Sequence, residues 1–239
     1  MTALFWRQSV LQLHFRGELR RFDNPAANKG AMKRAFDLVL AGLGLVVISP
    51  LLLVFAVWVK LDSRGPVFYR GLRAGRFAKP FRIFKLRTMT MDGSDRGAGW
   101  TSSDDPRITR AGVTLRRYKL DELPQLINVV KGDMSLVGPR PEVLDEVSRY
   151  TDEEKELLTI RPGITDWASI KFSQEGEILR HSQDPVGHYY QSIRPEKVRL
   201  ALEYVRNNSL LIDVRILVYT LKRVVRIQRS SNIAISQQR

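Results

Sequence analysis

Between Leu38 and Val59 the chain runs twenty-two residues without a charge, with Lys33-Arg34 before the run and Lys60 after it. About 20 apolar residues cross a bilayer core, so length alone favours a transmembrane helix. Two features of the pattern argue otherwise. Pro50 follows Ser49 in mid-run and cannot donate to the Val46 carbonyl, which bends a helix there. Both flanks are basic, and basic flanks stay on the cytoplasmic side. The arm from Phe36 to Pro50 is roughly 22 Å long at 1.5 Å per residue, short of the roughly 30 Å core. A re-entrant helix over 33–62, broken at Ser49-Pro50, satisfies these features ahead of a spanning helix, with a soluble buried helix third.

Helical spacing returns further on. Leu123, Leu126, Ile127 and Val130 share one face of a helix that Asp121 would N-cap and Gly132 would end, with Pro124 in the first turn and Lys131 in the last. Pro195 and Asn207-Asn208-Ser209 bracket a short helix. A longer one follows, with Leu210, Leu211, Val214, Leu217, Val218, Leu221, Val224 and Val225 on one face and Arg215, Lys222, Arg223 and Arg226 on the other. Such a helix either lies in the membrane interface or packs on the domain. Residues 142–159 read as an acidic helical stretch. Residues 65–89, rich in aromatic and β-branched residues with glycine punctuation, predict two short strands around a turn. Met91 to Thr109 has the composition of a mobile loop.

The expected fold is α/β, mainly α with a short β-hairpin: a compact cytoplasmic domain with an N-terminal re-entrant membrane helix and interfacial amphipathic helices. Its parts are a basic tail (1–32), the membrane helix (33–62), a catalytic domain (63–228) and a disordered tail (229–239).

Charge sharpens the picture. A net charge of +14 and a pI near 10.3 call for an anionic partner: nucleic acid, an anionic membrane face or phosphorylated substrates. With no cysteine in the sequence, disulfides and thiolate metal sites are excluded. His14, His181 and His188 show no metal-ligand spacing.

The candidate chemistry centres on Asp121 and Glu122, adjacent carboxylates after the cationic run Arg116-Arg117-Tyr118-Lys119; an ordinary capped helix is the competing reading. Strand alternation would put Lys85 and Arg87 on one face, where paired cations either bind phosphate or face solvent. Pro139 and Pro141 fix the backbone around Arg140, and a guanidinium fork held this way suits a phosphate, or else a salt bridge to Glu142 or Asp133.

The order of motifs carries a resemblance. The basic-flanked apolar run with Ser49-Pro50 is followed by FKLRTM at 84–89, DPRITRAG at 105–112, LDELPQLINVVKGDMSLVGPRPE at 120–142 and RPGIT at 161–165. Over residues 31–225 the chain resembles the bacterial sugar transferase family, monotopic phosphoglycosyl transferases of the bacterial inner membrane facing the cytoplasm. The resemblance implies transfer of a sugar 1-phosphate from a UDP-sugar to polyprenyl (undecaprenyl) phosphate, the step that begins exopolysaccharide, O-antigen or glycoprotein glycan assembly. It implies that Asp121 and Glu122 are catalytic with Mg2+, and that Arg116 serves the lipid phosphate. On this reading Asp121 is the nucleophile and Glu122 the magnesium ligand. Lys85, Arg87, Arg116, Pro139, Arg140, Pro141 and Arg161 form the expected substrate-binding set, and inner-membrane lipids are partners. A homodimer is kept open and nucleic acid is not expected. After RPGIT the chain departs from the common family pattern over Asp166–Glu177, which leaves the sugar open, and it reads as a minimal catalytic unit. Two rival readings are a membrane-tethered nucleic-acid-binding protein and a non-catalytic scaffold.

Overall fold

The computed structural model describes residues 27–90, 105–180 and 182–236, with backbone only at 27–29, 177, 180 and 225–236. The expectations for the first 26 residues, most of the polar loop (91–104), His14 and His181 lie outside the described residues.

The apolar run forms helix α1, Ala27–Asp62, which starts earlier than the expected boundary at Lys33. It is continuous across Pro50, so the break expected at Ser49-Pro50 is not an interruption of the helix. The Ser49 hydroxyl donates to the Val46 carbonyl at 2.9 Å, replacing the bond that Pro50 cannot make.

Both ends of α1 dock on the same domain. At its start Lys33 pairs with Asp213, Arg34 donates to the Val129 and Val130 carbonyls, and Asp37 accepts from the Ser135 hydroxyl and the Leu136 amide. At its end Val59 is buried with Leu86, Ala111 and Leu115, and Asp62 accepts from the Ala111 amide. The middle is uncovered: Val46 and Val47 are each 74% exposed, Leu53 67% and Val54 62%.

The expected hairpin is one long hairpin whose arms each break once. Strands β1 (Phe68–Tyr69) and β4 (Lys85–Leu86) pair at its base, and β2 (Leu72–Ala74) and β3 (Pro80–Arg82) at its tip. The Ile83 amide bonds the Gly71 carbonyl between the two ladders. At the tip Phe77 and Ala78 adopt φ of 56° and 55°. Both are held there by packing against Ala74, Val147 and Leu158.

Helix α2 (Arg110–Arg117) is N-capped by Thr109, whose hydroxyl accepts from the Gly112 amide. A Cβ on Gly112 would lie 2.1 Å from the Thr88 carbonyl oxygen, so only glycine lets α2 press on that segment. Helix α3 (Gln125–Lys131) ends as expected at Gly132, whose φ of 91° lets its amide return to the Asn128 and Val129 carbonyls. Its buried face is not the apolar one: Gln125, Asn128 and Val129 face inward and Val130 is exposed.

A parallel pair that the sequence pattern did not reveal, β5 (Ser135–Val137) with β6 (Gly163–Thr165), lies against α1 and α3. The expected helix over 142–159 is instead a short α4 (Leu144–Val147) and a separate 3-10 segment, Glu154–Thr159. Thr151 and Glu154 start the latter with reciprocal side chain to backbone bonds, a capping box within the acidic run.

Short helices α5 (Trp167–Lys171), α6 (Glu175–Arg180) and α7 (Pro185–His188) lead through a π-helical turn, Tyr189–Ile193, into α8 (Arg194–Asn207). The bracket read from Pro195 and Asn207 holds. Helix α9 (Leu210–Ser236) runs past residue 229, so the expected disordered tail is helical to Ser236. Its inward stripe is Ile212, Asp213, Ile216 and Leu217, whereas Leu211, Val214, Val218 and Leu221 of the predicted apolar face are exposed.

The left-handed turn at the hairpin tip yields a stability prediction. Ala78→Gly removes a steric penalty of about 1 kcal/mol, which corresponds to a thermal midpoint about 2–4 °C higher for a chain of this size. Circular dichroism melts of the detergent-solubilised protein check this; a lower midpoint would show that the Ala78 methyl contributes more by packing than its backbone costs.

Candidate active site

Asp121 and Glu122 do not cap α3. They belong to a 3-10 turn, Leu120–Glu122, set between α2 and α3 by Lys119 at φ 58°. Three-residue closures continue from Glu122 N to the Lys119 carbonyl through Ile127 N to the Pro124 carbonyl, because Pro124 cannot supply an α-helical bond. The expected N-cap role of Asp121 is therefore corrected. Released from capping, its carboxylate turns inward, and both acids are buried, Asp121 at 7% and Glu122 at 9% exposure.

Glu122 is clamped. Its Oε1 accepts from Lys85 Nζ at 2.7 Å and from Arg140 at 3.3 Å. Burial acts to raise its pKa, but Lys85 and then Arg140 outweigh burial and hold the carboxyl well below its usual range. Asp121 differs. Burial pushes its carboxyl up, Lys85 opposes this, and the negative Glu122 beside it adds to the rise. Its Oδ1 is buried without any hydrogen-bond partner. An unpaired buried acceptor costs about 1–3 kcal/mol and persists where function uses it.

The clamp depends on close backbone packing. A Cβ on Gly163 would lie 2.0 Å from the Gly138 amide nitrogen, and one on Gly138 would lie 2.5 Å from the Arg161 carbonyl oxygen. Both glycines are therefore required for the VGPRP loop to lie against RPGIT and present Arg140. Pro139 accepts from the Gly163 amide, and Pro141 lines the pocket beside Arg140.

Other residues expected at the site go elsewhere. Arg87 is 3% exposed and donates to the Val59, Ser63 and Arg64 carbonyls and the Ser63 hydroxyl. It tethers the end of α1, and its assignment to a phosphate is corrected. Arg161 donates to the Gly132 carbonyl, again a structural use. Arg116 makes no side-chain hydrogen bond or ion pair among the described residues and acts electrostatically on Asp121.

Two pocket residues were missed. Arg73 and Gln125 line the same depression as Lys85, Arg140, Pro141 and Glu142. The period-2 pattern of the hairpin could have found Arg73, since Arg73 pairs with Phe81 and alternation from Phe81 reaches Ile83 and Lys85 on the same face. Gln125 lay on the helix face that the apolar spacing assigned outward.

Among the described residues no cluster of three or more histidine, aspartate or glutamate side chains could cage a metal. Magnesium does not need one, since it binds through one or two carboxylates and takes its other ligands from water and phosphate. Glu122 fits that requirement: it is held ionised, and its two cations both sit on Oε1, which leaves Oε2 for a hard cation.

The family model of the bacterial sugar transferases matches residues 28–227. The undecaprenyl-phosphate glucose phosphotransferase of Komagataeibacter xylinus is 41% identical over 200 residues, 81% of this chain and 36% of that protein. A UDP-N-acetylgalactosamine-undecaprenyl-phosphate N-acetylgalactosaminephosphotransferase of Aeromonas hydrophila is 34% identical over 81% of this chain and 44% of its own length. Thus the chain spans less than half the length of these two. The exopolysaccharide production protein PSS of Rhizobium leguminosarum bv. phaseoli is 37% identical over 80% of this chain and is itself 93% covered. A match over this span, with the Asp121–Glu122 turn, the VGPRP loop and the apolar helix all inside it, means that the chain belongs to the bacterial sugar transferase family.

Proposed function

We propose that this chain transfers a sugar 1-phosphate from a UDP-sugar to a polyprenyl phosphate such as undecaprenyl phosphate, beginning assembly of an exopolysaccharide or a related glycan. The observation that carries the reading is the buried Asp121–Glu122 turn, one acid clamped by Lys85 and Arg140 and the other left with a free acceptor. The relatives named for this reaction support it, and because they differ in the sugar named, the sugar is left open.

In the first half-reaction an Asp121 carboxylate oxygen attacks the phosphorus that bears the sugar. An O–P bond forms, the bridging P–O bond breaks, and UMP leaves with the bridging oxygen. In the second, a phosphate oxygen of the polyprenyl phosphate attacks the same phosphorus and Asp121 leaves as the carboxylate, so no net proton is consumed. Lys85 and Arg140 keep Glu122 ionised and fixed. Arg140 is half-exposed towards the pocket and has donors left for a phosphate. Arg116, near Asp121 and without a carboxylate partner, suits the lipid phosphate. Bound through Glu122 and the substrate diphosphate, Mg2+ would supply charge neutralisation.

The site sits at the cytoplasmic face of the inner membrane on this reading, with α1 re-entrant. Support comes from the docking of both helix ends on one domain, while Val46, Val47, Leu53 and Val54 around Pro50 are bare. A straight helix from Lys33 to Asp62 would be about 44 Å long, and a spanning one would separate two ends that share a domain. The exposed stripe Leu211, Val214, Val218 and Leu221 with Arg215 and Lys222 suits the interface, and α9 begins beside α1 at the Lys33–Asp213 pair.

Two outcomes follow. With sugar-labelled UDP-sugar and Mg2+, the wild type should release UMP and become labelled before any acceptor is added. Asp121→Asn should abolish the label, and Glu122→Gln should slow turnover at least a hundredfold and weaken magnesium dependence. Label mapping to Glu122, or UMP release that strictly needs the lipid, would refute the assignment. For topology, Gly30→Cys and Arg64→Cys should both resist membrane-impermeant thiol reagents in intact cells; labelling of just one of the two would show a spanning helix.

A further inference from the structure

Of the cations around the pocket, Lys85 and Arg140 are committed to Glu122. Arg73 is not. Its guanidinium makes one hydrogen bond, to the Leu72 carbonyl at 2.8 Å, and no ion pair among the described residues. The strand register holds it in place: Arg73 lies opposite Phe81 in the β2–β3 pair, and Ile83 and Lys85, further along the same arm, line the same pocket as Arg73. Phe81 and Ile83 are packed into the core, so Arg73 and Lys85 are fixed relative to one another. Between them the pocket is walled by Gln125, Arg140 and Glu142.

We propose that Arg73 is a phosphate-binding residue of the donor subsite, holding the diphosphate of the nucleoside diphosphate sugar while Asp121 attacks. The inference rests on the proposed function above and adds a residue to it. A guanidinium fork with unused donors, on a strand and lining the same pocket as Lys85 and Arg140, the two cations that hold Glu122, is built for a planar array of phosphate oxygens. Glu142 tempers it: that carboxylate acts electrostatically on both Arg73 and Arg140 and lines the same wall, so an empty pocket is not left with three bare cations. Gln125, neutral and buried at 2% exposure, adds donors and an acceptor beside them without adding charge.

A phosphate at Arg73 could belong to the donor or to the lipid acceptor, and the test separates them. The full-length protein in nanodiscs is titrated with UDP and with uridine in the presence of Mg2+, and the KM for polyprenyl phosphate is measured in parallel. Arg73→Gln should weaken UDP binding about tenfold or more, leave uridine binding unchanged and leave the KM for polyprenyl phosphate unchanged. Arg73→Lys, which keeps the charge but loses the fork, should fall between. Melting curves for both variants confirm that the hairpin is intact. Unchanged UDP affinity in Arg73→Gln overturns the inference, as does an effect confined to the KM for polyprenyl phosphate. A wild-type protein that binds no UDP overturns the proposed function as well, so the two failures are told apart.

Discussion

An ionised carboxylate removed from water needs cations brought to it, and at Glu122 they come from distant parts of the chain. Lys85 arrives on a hairpin strand and Arg140 on the loop after β5. Removing either partner leaves a buried charge undercompensated, a loss of about 3–5 kcal/mol in comparable sites. Much of the architecture around the site delivers these two cations. Asn128, fully buried on α3, accepts from the Phe84 amide and donates to the Arg82 carbonyl, which pins the strand that carries Lys85 to the helix that follows Glu122. Gly138 and Gly163 let β5 and β6 approach closely enough for the loop that carries Arg140 to reach back over the turn.

The same strand also ties the site to the apolar helix. Two residues after Lys85, Arg87 donates to carbonyls at the end of α1 that have no helical partner. Burial lowers its pKa, yet a guanidinium starts so high that it stays charged, and a cation is favourable at a helix C-terminus. Lys85-Leu86-Arg87 is therefore a three-residue bridge, one end on the catalytic turn and the other on α1, with Leu86 buried against Val59 between them. At the opposite end of α1, Asp213 receives both Lys33 and the Tyr204 hydroxyl, locking α1, α8 and α9 together. Where α1 sits in a bilayer thus fixes how high above it the Asp121–Glu122 turn stands.

Local chemistry was legible in the sequence wherever a single residue type decides a backbone conformation. Gly132 ends α3 and Pro195 opens α8 without reference to anything distant. The spacing of apolar residues showed faces but not which way they turn. On α3 and α9 the apolar stripes are partly outside; the inward faces carry Asn128 and Asp213, satisfied by buried hydrogen bonds and one ion pair, and Gln125, which lines the pocket. The pair β5–β6, three residues each and far apart in the chain, has too little pattern to read. Arg87 was misassigned for a related reason: strand alternation places a side chain on a face but says nothing of the helix end packed there.

The two acids at the centre are chain neighbours of nearly the same chemistry, so their different states must come from position. A 3-10 turn rotates successive residues by about 120°, so Glu122 takes Lys85 and Arg140 directly while Asp121, buried beside it, keeps an Oδ1 with no hydrogen-bond partner. The clamp on Glu122 keeps one negative charge permanently beside Asp121, and burial adds to it, so the Asp121 carboxylate is held at higher free energy than an exposed one. The nucleophilic role proposed for Asp121 would be served by that: an oxygen with an unfilled hydrogen-bonding site gives up little on bonding to phosphorus. Had Asp121 capped α3, the Leu123 amide would have donated to its carboxylate and stabilised its charge. Pro124, with no N–H at the third position of such a helix, removes the other amide a capping carboxylate would use, so an unpartnered oxygen on one acid is favoured by a residue three positions later.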